Sequence, residues 1–363
     1  MSLNLICTNP YYRAVMTPNT ELRSQREGLS LDDLRTRVQE SPSADALSPF
    51  QRPEWFDLLA RHCFPDARVH VAHAEEEGAS AWMPLLLDNT GLNALANWYS
   101  FSFAPLFLGT QDSAKQADLL TRLARALHGV HHRLSLYPVI GDGSPTPGMV
   151  VRAFRKAGWL TVARPQGLNY SLDVGDRSFA QYWSGRPGAL RKQVKRKGGK
   201  SPYRFEIHHG VTDALWEDYS AIYGASWKEP EPYPAMIRDM ARDAGLRGTL
   251  RLGFARDQGR PAAVQFWTVE GDTAYIHKIA HDRSLDSLSP GTLLSHHMFQ
   301  HVIDQDRVAR IDYGTGSNGY KRDWMESQRP MIRLDCYDPR VPAAWLPAAR
   351  ASISALVGGS ARL

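Results

Sequence analysis

From about residue 46 onward the chain switches repeatedly between two hydrophobic rhythms. In "SPFQRPEWFDLLARHCF", Trp55, Leu58, Leu59 and Cys63 recur at helical spacing, and Ser48 is placed to cap the turn before them. "ARVHVAHAE" and "ASAWMPLLLD" instead alternate with period two around an acidic turn, which predicts paired strands. "AKQADLLTRLARALHGV" returns to an amphipathic helix stopped at Gly129. "HRLSLYPVI" reads as a strand, "GMVVRAFRKAGW" as a helix with a glycine stop, and "TVARPQGLNYSLDV" as a strand again. Together these elements predict an α/β unit over residues 46–175.

A second unit is expected over residues 203–340. "RFEIHHG" is a strand, "TDALWEDYSAIYGASW" a helix capped by Thr212, "EPEPYP" a loop and "AMIRDMARDAG" a helix. "LRLGFARD", "RPAAVQFWTVEGD" and "TAYIHKIAHD" form a three-stranded meander with tight turns. A helix from "SPGTLLSHHMFQHVID", a strand from "VARIDYGTG", a short helix from "YKRDWMES" and a strand from "MIRLDCYD" follow. The shared order of strands and helices suggests a diverged internal duplication, at a period far longer than a solenoid repeat. Residues 1–45 read as an N-terminal arm in which "LSLDDLRTRVQES" could form one helix, residues 176–202 as a basic connecting helix, and residues 341–363 as a C-terminal tail.

Composition narrows the class. The chain has 363 residues, 43% hydrophobic and 22% charged, as in ordinary globular proteins. That length favours two domains over one core. No stretch approaches a membrane span, and "MSLNLICTNPYYRAV" lacks the charged and apolar succession of a secretory leader, so a cytoplasmic chain is expected. Cys7, Cys63 and Cys336 are scattered, with neither a disulfide framework nor a metal-site spacing. The net charge of +5 favours an anionic ligand without calling for nucleic acid.

The stretch "SLSPGTLLSHHMF", Ser287 to Phe299, carries the first chemical signal. Pro290 suits a first helical turn, because its missing N–H would be unpaired there anyway. Gly291 offers no side chain to obstruct a ligand. The amides of Gly291, Thr292, Leu293 and Leu294 are expected to point outward at the positive end of the helix, with the Thr292 hydroxyl as a further donor. That arrangement suits a pyrophosphate, although it is also simply a good helix start. Upstream, six of the ten residues from Arg191 to Lys200 are Lys or Arg, which fits either a solvated helix or a phosphate-binding surface. "GGKS" at 198–201 is not a P-loop, because position 194 is Val194 rather than glycine. His297 and His301 have i, i+4 spacing but no H-E-x-x-H glutamate, so no metal is expected. No G-x-S-x-G elbow and no catalytic cysteine motif stands out, so no covalent acyl-enzyme is called for.

The motifs "ASWKEPEPYP", "GRPAAVQFW", "AYIHKIAHD", "LSPGTLL" and "RIDYGTGSNGYKRDWM" occur in that order. This set resembles the CelD-type, or cellulose-biosynthesis-type, acetyltransferases of the general N-acetyltransferase superfamily, relatives of the Fem-type aminoacyltransferases. The motifs lie in the second unit; the first matches mainly by layout. The resemblance implies an α/β (α+β) fold of two tandem acyl-CoA N-acyltransferase-like lobes, each a mixed, mostly antiparallel sheet flanked by helices. It further implies that coenzyme A lies on the helix after the fourth strand of the second lobe, held by Leu288, Ser289, Pro290, Gly291, Thr292 and Leu293. Where such enzymes carry tyrosine more often, this chain has His281.

Several side chains are candidates for the chemistry. Lys278 sits on the strand before the turn, with His277 and Ile279 expected on the opposite face, and either meets the cleft or pairs with a carboxylate. Asp312, beside Gly314 and Gly316, is the first choice for orienting the substrate or accepting a proton. Lys321 and Trp324 lie three apart on one face of a short helix. A buried Lys–Asp pair is the structural alternative. Trp227, Glu229, Glu231 and Tyr233 belong to a loop expected to cover the cleft, where the glutamates could bind an amine. Gln265 and Trp267 share one strand face, and His281 completes the expected acceptor set.

The expected activity is therefore an acyl-CoA-dependent N-acyltransferase of the EC 2.3.1 type, with acetyl-CoA or another acyl-CoA as donor and no metal. The acceptor is expected to be a small-molecule or saccharide amine, in bacterial cell-envelope or polysaccharide metabolism. Peripheral membrane contact is compatible with the chain, and no transmembrane segment is. Two alternatives stand beside it: a Fem-like enzyme drawing its acyl group from aminoacyl-tRNA, and a non-catalytic scaffold in polysaccharide assembly. The acceptor, the acyl chain length and the oligomeric state are not encoded in any motif.

Overall fold

Helix starts follow the capping side chains. Ser30, Asp112, Ser178 and Thr212 each accept a backbone N–H at the first turn of a helix, satisfying a donor that the helix itself leaves unpaired. The computed structural model describes residues 29–42, 47–141, 144, 146–316 and 319–358. Most of the expected N-terminal arm thus lies outside the described residues. Within them, α1 (Leu31–Gln39) packs Leu34 and Val38 into the core.

A short 3-10 turn (Pro49–Gln51) and α2 (Pro53–His62) lead into β1 (Arg68–Glu76), β2 (Ala79–Asp88), β3 (Gly91–Ala94) and β4 (Leu106–Leu108). Then come α3 (Ser113–Leu127), β5 (Arg133–Ile140), α4 (Thr146–Lys156) and β6 (Leu160–Asp173). The expected single connecting helix is two, α5 (Phe179–Ser184) and α6 (Gly188–Gly198). Pro187 sits at the break, where a continuous helix would need its missing N–H.

The second half holds β7 (Arg204–His208), α7 (Asp213–Ala225), α8 (Pro234–Leu246), β8 (Leu250–Asp257), β9 (Arg260–Glu270) and β10 (Thr273–His281). It continues through a 3-10 turn (Arg283–Leu288), α9 (Pro290–Asp304), β11 (Arg310–Thr315), α10 (Lys321–Trp324) and β12 (Ser327–Tyr337). Helix α11 (Trp345–Gly358) packs Ala348, Ala351 and Ala355 against Val162 and Tyr337.

All strands join one mixed sheet, in the order β1-β2-β3-β5-β12-β6-β11-β10-β9-β8-β7, with β4 paired to β2. The two halves are built alike. Parallel pairing joins β3 to β5 across α3, and β10 to β11 across α9; the remaining pairs are antiparallel. At the centre the halves exchange strands. β12, from the end of the second half, lies between β5 and β6, and β6, from the first half, pairs with β11. Burial on both faces follows from that central position: Met331 to Tyr337 of β12 are all buried. One apolar layer packs β8 and β9 under α7 and α8, and another packs the opposite sheet face under α9.

Candidate functional site

Strands β10 and β11 pair over only three positions, Thr273↔Arg310, Ala274↔Ile311 and Tyr275↔Asp312. Beyond Tyr275, β10 continues on β9 as far as His281, while β11 continues on β6 as far as Thr315. The sheet therefore opens into a wedge whose two walls carry unpaired backbone groups. A bulge between Ile276 and Lys278 lies at its mouth.

That bulge changes which side chains enter the wedge. Strict alternation would put His277 opposite Lys278, but the extra residue brings both to one face. His277 Nε2 lies 2.9 Å from Thr268 Oγ1, among the rings of Phe101 and Phe266. Burial pushes this histidine down to about 3, so it is neutral. Ile279 packs on the other face, as expected.

Lys278 bonds Glu231, which also accepts the Tyr99 hydroxyl, and the Lys278 ammonium lies 4.6 Å from the Tyr99 ring and 5.7 Å from that of Tyr223. Glu231 thus reaches into the wedge from the loop between α7 and α8, while Glu229 of the same loop is exposed. Tyr233 stacks on Trp98 at 5.7 Å. Tyr99 and Trp98 come from the first half, so this end of the wedge is shared between halves.

Asp312 closes the bottom. Its Oδ1 accepts the Asn169 amide at 2.9 Å and the Gly314 N–H at 2.8 Å. Burial raises its pKa, with those two hydrogen bonds opposing. Gly314, at φ +66°, sits where a Cβ would stand 2.9 Å from the Phe101 ring, so both the turn and the close approach require glycine. Lys321 is buried and donates to the carbonyls of Tyr313 (2.8 Å) and Thr315 (2.7 Å). Burial pushes it down to about 8, with Asp312 opposing.

The turn into α9 lies beside the wedge, partly exposed at Ser289, Gly291 and Thr292. Ser289 is left-handed at φ 56°, and its carbonyl accepts the Leu293 N–H at 3.1 Å. One of the four amides expected to be open is therefore spent, and helical bonding takes Leu294 as well; Gly291 and Thr292 keep theirs. Helix α6 lies against this turn: Gln193 donates to Ser289 Oγ at 3.1 Å and Lys197 to the Ser287 carbonyl. His281 stands between Trp227 (ring centroids 4.7 Å apart) and Gly291, with Nε2 2.7 Å from Asp286.

Two residues expected in the acceptor set lie elsewhere. Gln265 and Trp267 are buried on the sheet face under α9. Gln265 bonds Ser295 Oγ (2.7 Å) and the Gly291 carbonyl (3.2 Å), and accepts Trp267 Nε1 (2.9 Å). They position the turn rather than face the wedge. Trp324 is likewise buried, stacked 4.8 Å from Phe299. Leu288 and Trp227 are exposed. Sequence reading passed over Tyr99, Tyr223, Asn169 and Lys228. The "SWKEPEP" motif contains Lys228, but only the fold brings it beside Tyr223.

Among the described residues no group of three or more His, Cys, Asp or Glu could hold a metal. No helix among them is long and apolar enough to cross a membrane. A cavity of about 30 Å³ lies under α2 and α8, but its Glu270 is already paired with Arg52 (2.7 Å) and Arg247 (2.8 Å).

Residues 187–322 match the family described as Acetyltransferase (GNAT) domain. No curated protein sequence matches the chain. Among solved structures, FemX is similar at 9% identity with a TM-score of 0.58, covering 86% of this chain and 97% of that one. The C-terminal domain of a putative lysylphosphatidylglycerol synthetase from Agrobacterium fabrum is similar at 14% identity and a TM-score of 0.56, over 90% and 97%. L-PGS from Bacillus licheniformis gives 10% and 0.54, over 93% and 100%. At such identities the likeness is one of fold. Strands β10 and β11 and the turn into α9 fall within residues 187–322, the stretch that matches the GNAT acetyltransferase domain family, and the fold is similar to that of FemX.

Proposed function

We propose that the protein is an acyl-CoA-dependent N-acyltransferase whose donor lies in the wedge between β10 and β11. The observation that carries this reading is the parting of those strands after Tyr275, with the open amides of Gly291 and Thr292 next to it. The diphosphate of coenzyme A would accept from those two amides at the positive helix end, and Gln193 and Lys197 flank the same turn. The acyl-bearing arm would run along the unpaired edge of β10. A β10 amide beyond Tyr275 would donate to the thioester carbonyl oxygen, where negative charge develops.

The acceptor amine then attacks the carbonyl carbon directly. Asp312 takes the amine proton, since burial has moved its carboxyl toward the range of a useful base. The C–S bond breaks, and Lys321 supplies the proton to the departing thiolate. Glu231, fixed by Lys278 and Tyr99, orients the amine. The ordered motifs from Ala225 to Met325 resemble the CelD-type enzymes and favour an envelope or polysaccharide acceptor in a bacterial cytoplasm.

Titration calorimetry with acetyl-CoA tests the donor. Wild type is expected to bind, and Gly291→Trp to abolish binding, because even a Cβ there would stand 2.9 Å from His281 Nδ1. A wild type that does not bind acetyl-CoA removes the reading.

A second reading is favoured by one feature. Arg191, Lys192, Lys195 and Arg196 of α6 are exposed on the helix that abuts the turn, as a polyanion track would require. Under it the acyl donor is an aminoacyl-tRNA, and RNA binding falls steeply with salt. Salt-independent or absent tRNA binding leaves the coenzyme A reading alone.

A further inference from the structure

The wedge holds more cations than it can pair internally. Lys278 is matched by Glu231, and that carboxylate is also taken by Tyr99. Asp312 spends its hydrogen-bonded oxygen on Asn169 and Gly314, and burial raises its pKa. Lys321 bonds two backbone carbonyls, and its third N–H has no hydrogen-bond partner among the described residues. Gly316 is required there by its backbone, at φ +124°, since a Cβ would meet Lys321 Nζ at an ordinary contact distance of 3.6 Å.

Lys228 has still less. Its ammonium stands 5.7 Å from the Tyr223 ring and 5.8 Å from the Trp227 ring. No carboxylate among the described residues lies within ion-pair distance of it. Burial pushes it down to about 8, the charges of Lys278 and Lys321 add to that shift, and the charge of Glu231 opposes it. Lys278 lies 5.7 Å from the same Tyr223 ring, so the two ammonium groups share one aromatic wall and Lys228 stands at the Lys278 end of the wedge. A half-buried cation without a counterion is costly, and the like charge of a neighbouring lysine adds to the cost. A bound anion relieves both terms at once.

We propose that the acceptor is an acidic amine, whose second group, a carboxylate or a phosphate, is held by Lys228. The proposal rests on the acyl-transfer reading for the other end of the molecule. It names the acceptor's class: an amine with an anionic oxygen group a few bonds away, set between the aromatic walls of Tyr223 and Trp227.

The probes are ethanolamine, β-alanine and phosphoethanolamine, which share an aminoethyl unit and differ in the second group. Calorimetry on the full chain, with and without saturating coenzyme A, is expected to show at least one anionic probe binding about tenfold or more tighter than ethanolamine. Which anionic probe is preferred separates carboxylate from phosphate. Lys228→Met should erase the preference, Lys228→Arg should keep part of it, and both should bind acetyl-CoA as wild type does. Three results overturn the proposal: equal binding of all three probes, no binding of either anionic probe, or a Lys228→Met variant that keeps the preference. Failure of wild type to bind acetyl-CoA is a different result and strikes the donor reading, because the anion preference is also read without coenzyme A.

Discussion

At the scale of single residues, the depressed lysines make stability depend on pH in an unusual direction. Lys321 titrates near 8 when folded and near 10.5 when unfolded, so between these values the unfolded chain holds the extra proton. Stability should therefore rise with pH over that window, by at most about 1.4 kcal/mol per pH unit for each such lysine. Urea unfolding at pH 7.5 and 9.5 measures the effect, and Lys321→Met should flatten it. Asp312→Asn should keep the contacts to Asn169 and Gly314 while removing the proton acceptor. The expected loss is about 10²–10⁴-fold in kcat with acetyl-CoA affinity unchanged, read by steady-state kinetics beside calorimetry. Lys278, Glu231, Asp312 and Lys321 were all picked out by residue type and motif. Their arrangement was not legible, because Glu231 lies 47 residues from Lys278 and the bulge at Ile276/Lys278 leaves no local mark.

At the scale of elements, hydrophobic period and capping chemistry were reliable guides. Ser48 and Thr212 stand where the sequence put them, and the β8–β9–β10 meander follows its tight turns. Which strand face meets which helix needed the fold. Gln265 and Trp267 suggested a substrate wall by their spacing, yet that face lies under α9. The consequence is an indirect one for the donor site. Gln265→Ala strands the hydroxyl of Ser295 and the indole N–H of Trp267, at about 1–3 kcal/mol for each group left unsatisfied. Thermal or urea unfolding should show that loss, and acetyl-CoA should bind more weakly because the Gly291 carbonyl loses its anchor.

At the scale of the whole molecule, the duplication suspected from the repeated order of elements has a counterpart in the two parallel crossovers, across α3 and α9. The exchange of central strands had no sequence signal, since a strand buried on both faces reads the same whichever neighbours it has. It forecasts that neither half stands alone. A chain ending at residue 326 would leave β5 and β6 without the strand between them. Such a truncation should lose cooperative unfolding by circular dichroism and calorimetry, rather than yield a stable first lobe.

The same crossing of β12 and β6 also governs how the protein can be made. Everything up to Asp173 leaves the ribosome with a gap in its middle, and the piece that fills it arrives more than 150 residues later. Synthesis therefore passes through a long interval with two open strand borders, a hazard for sticking to other nascent chains. Refolding from denaturant should be slow and sensitive to protein concentration for the same reason, since the last pairing to close spans the longest stretch of chain.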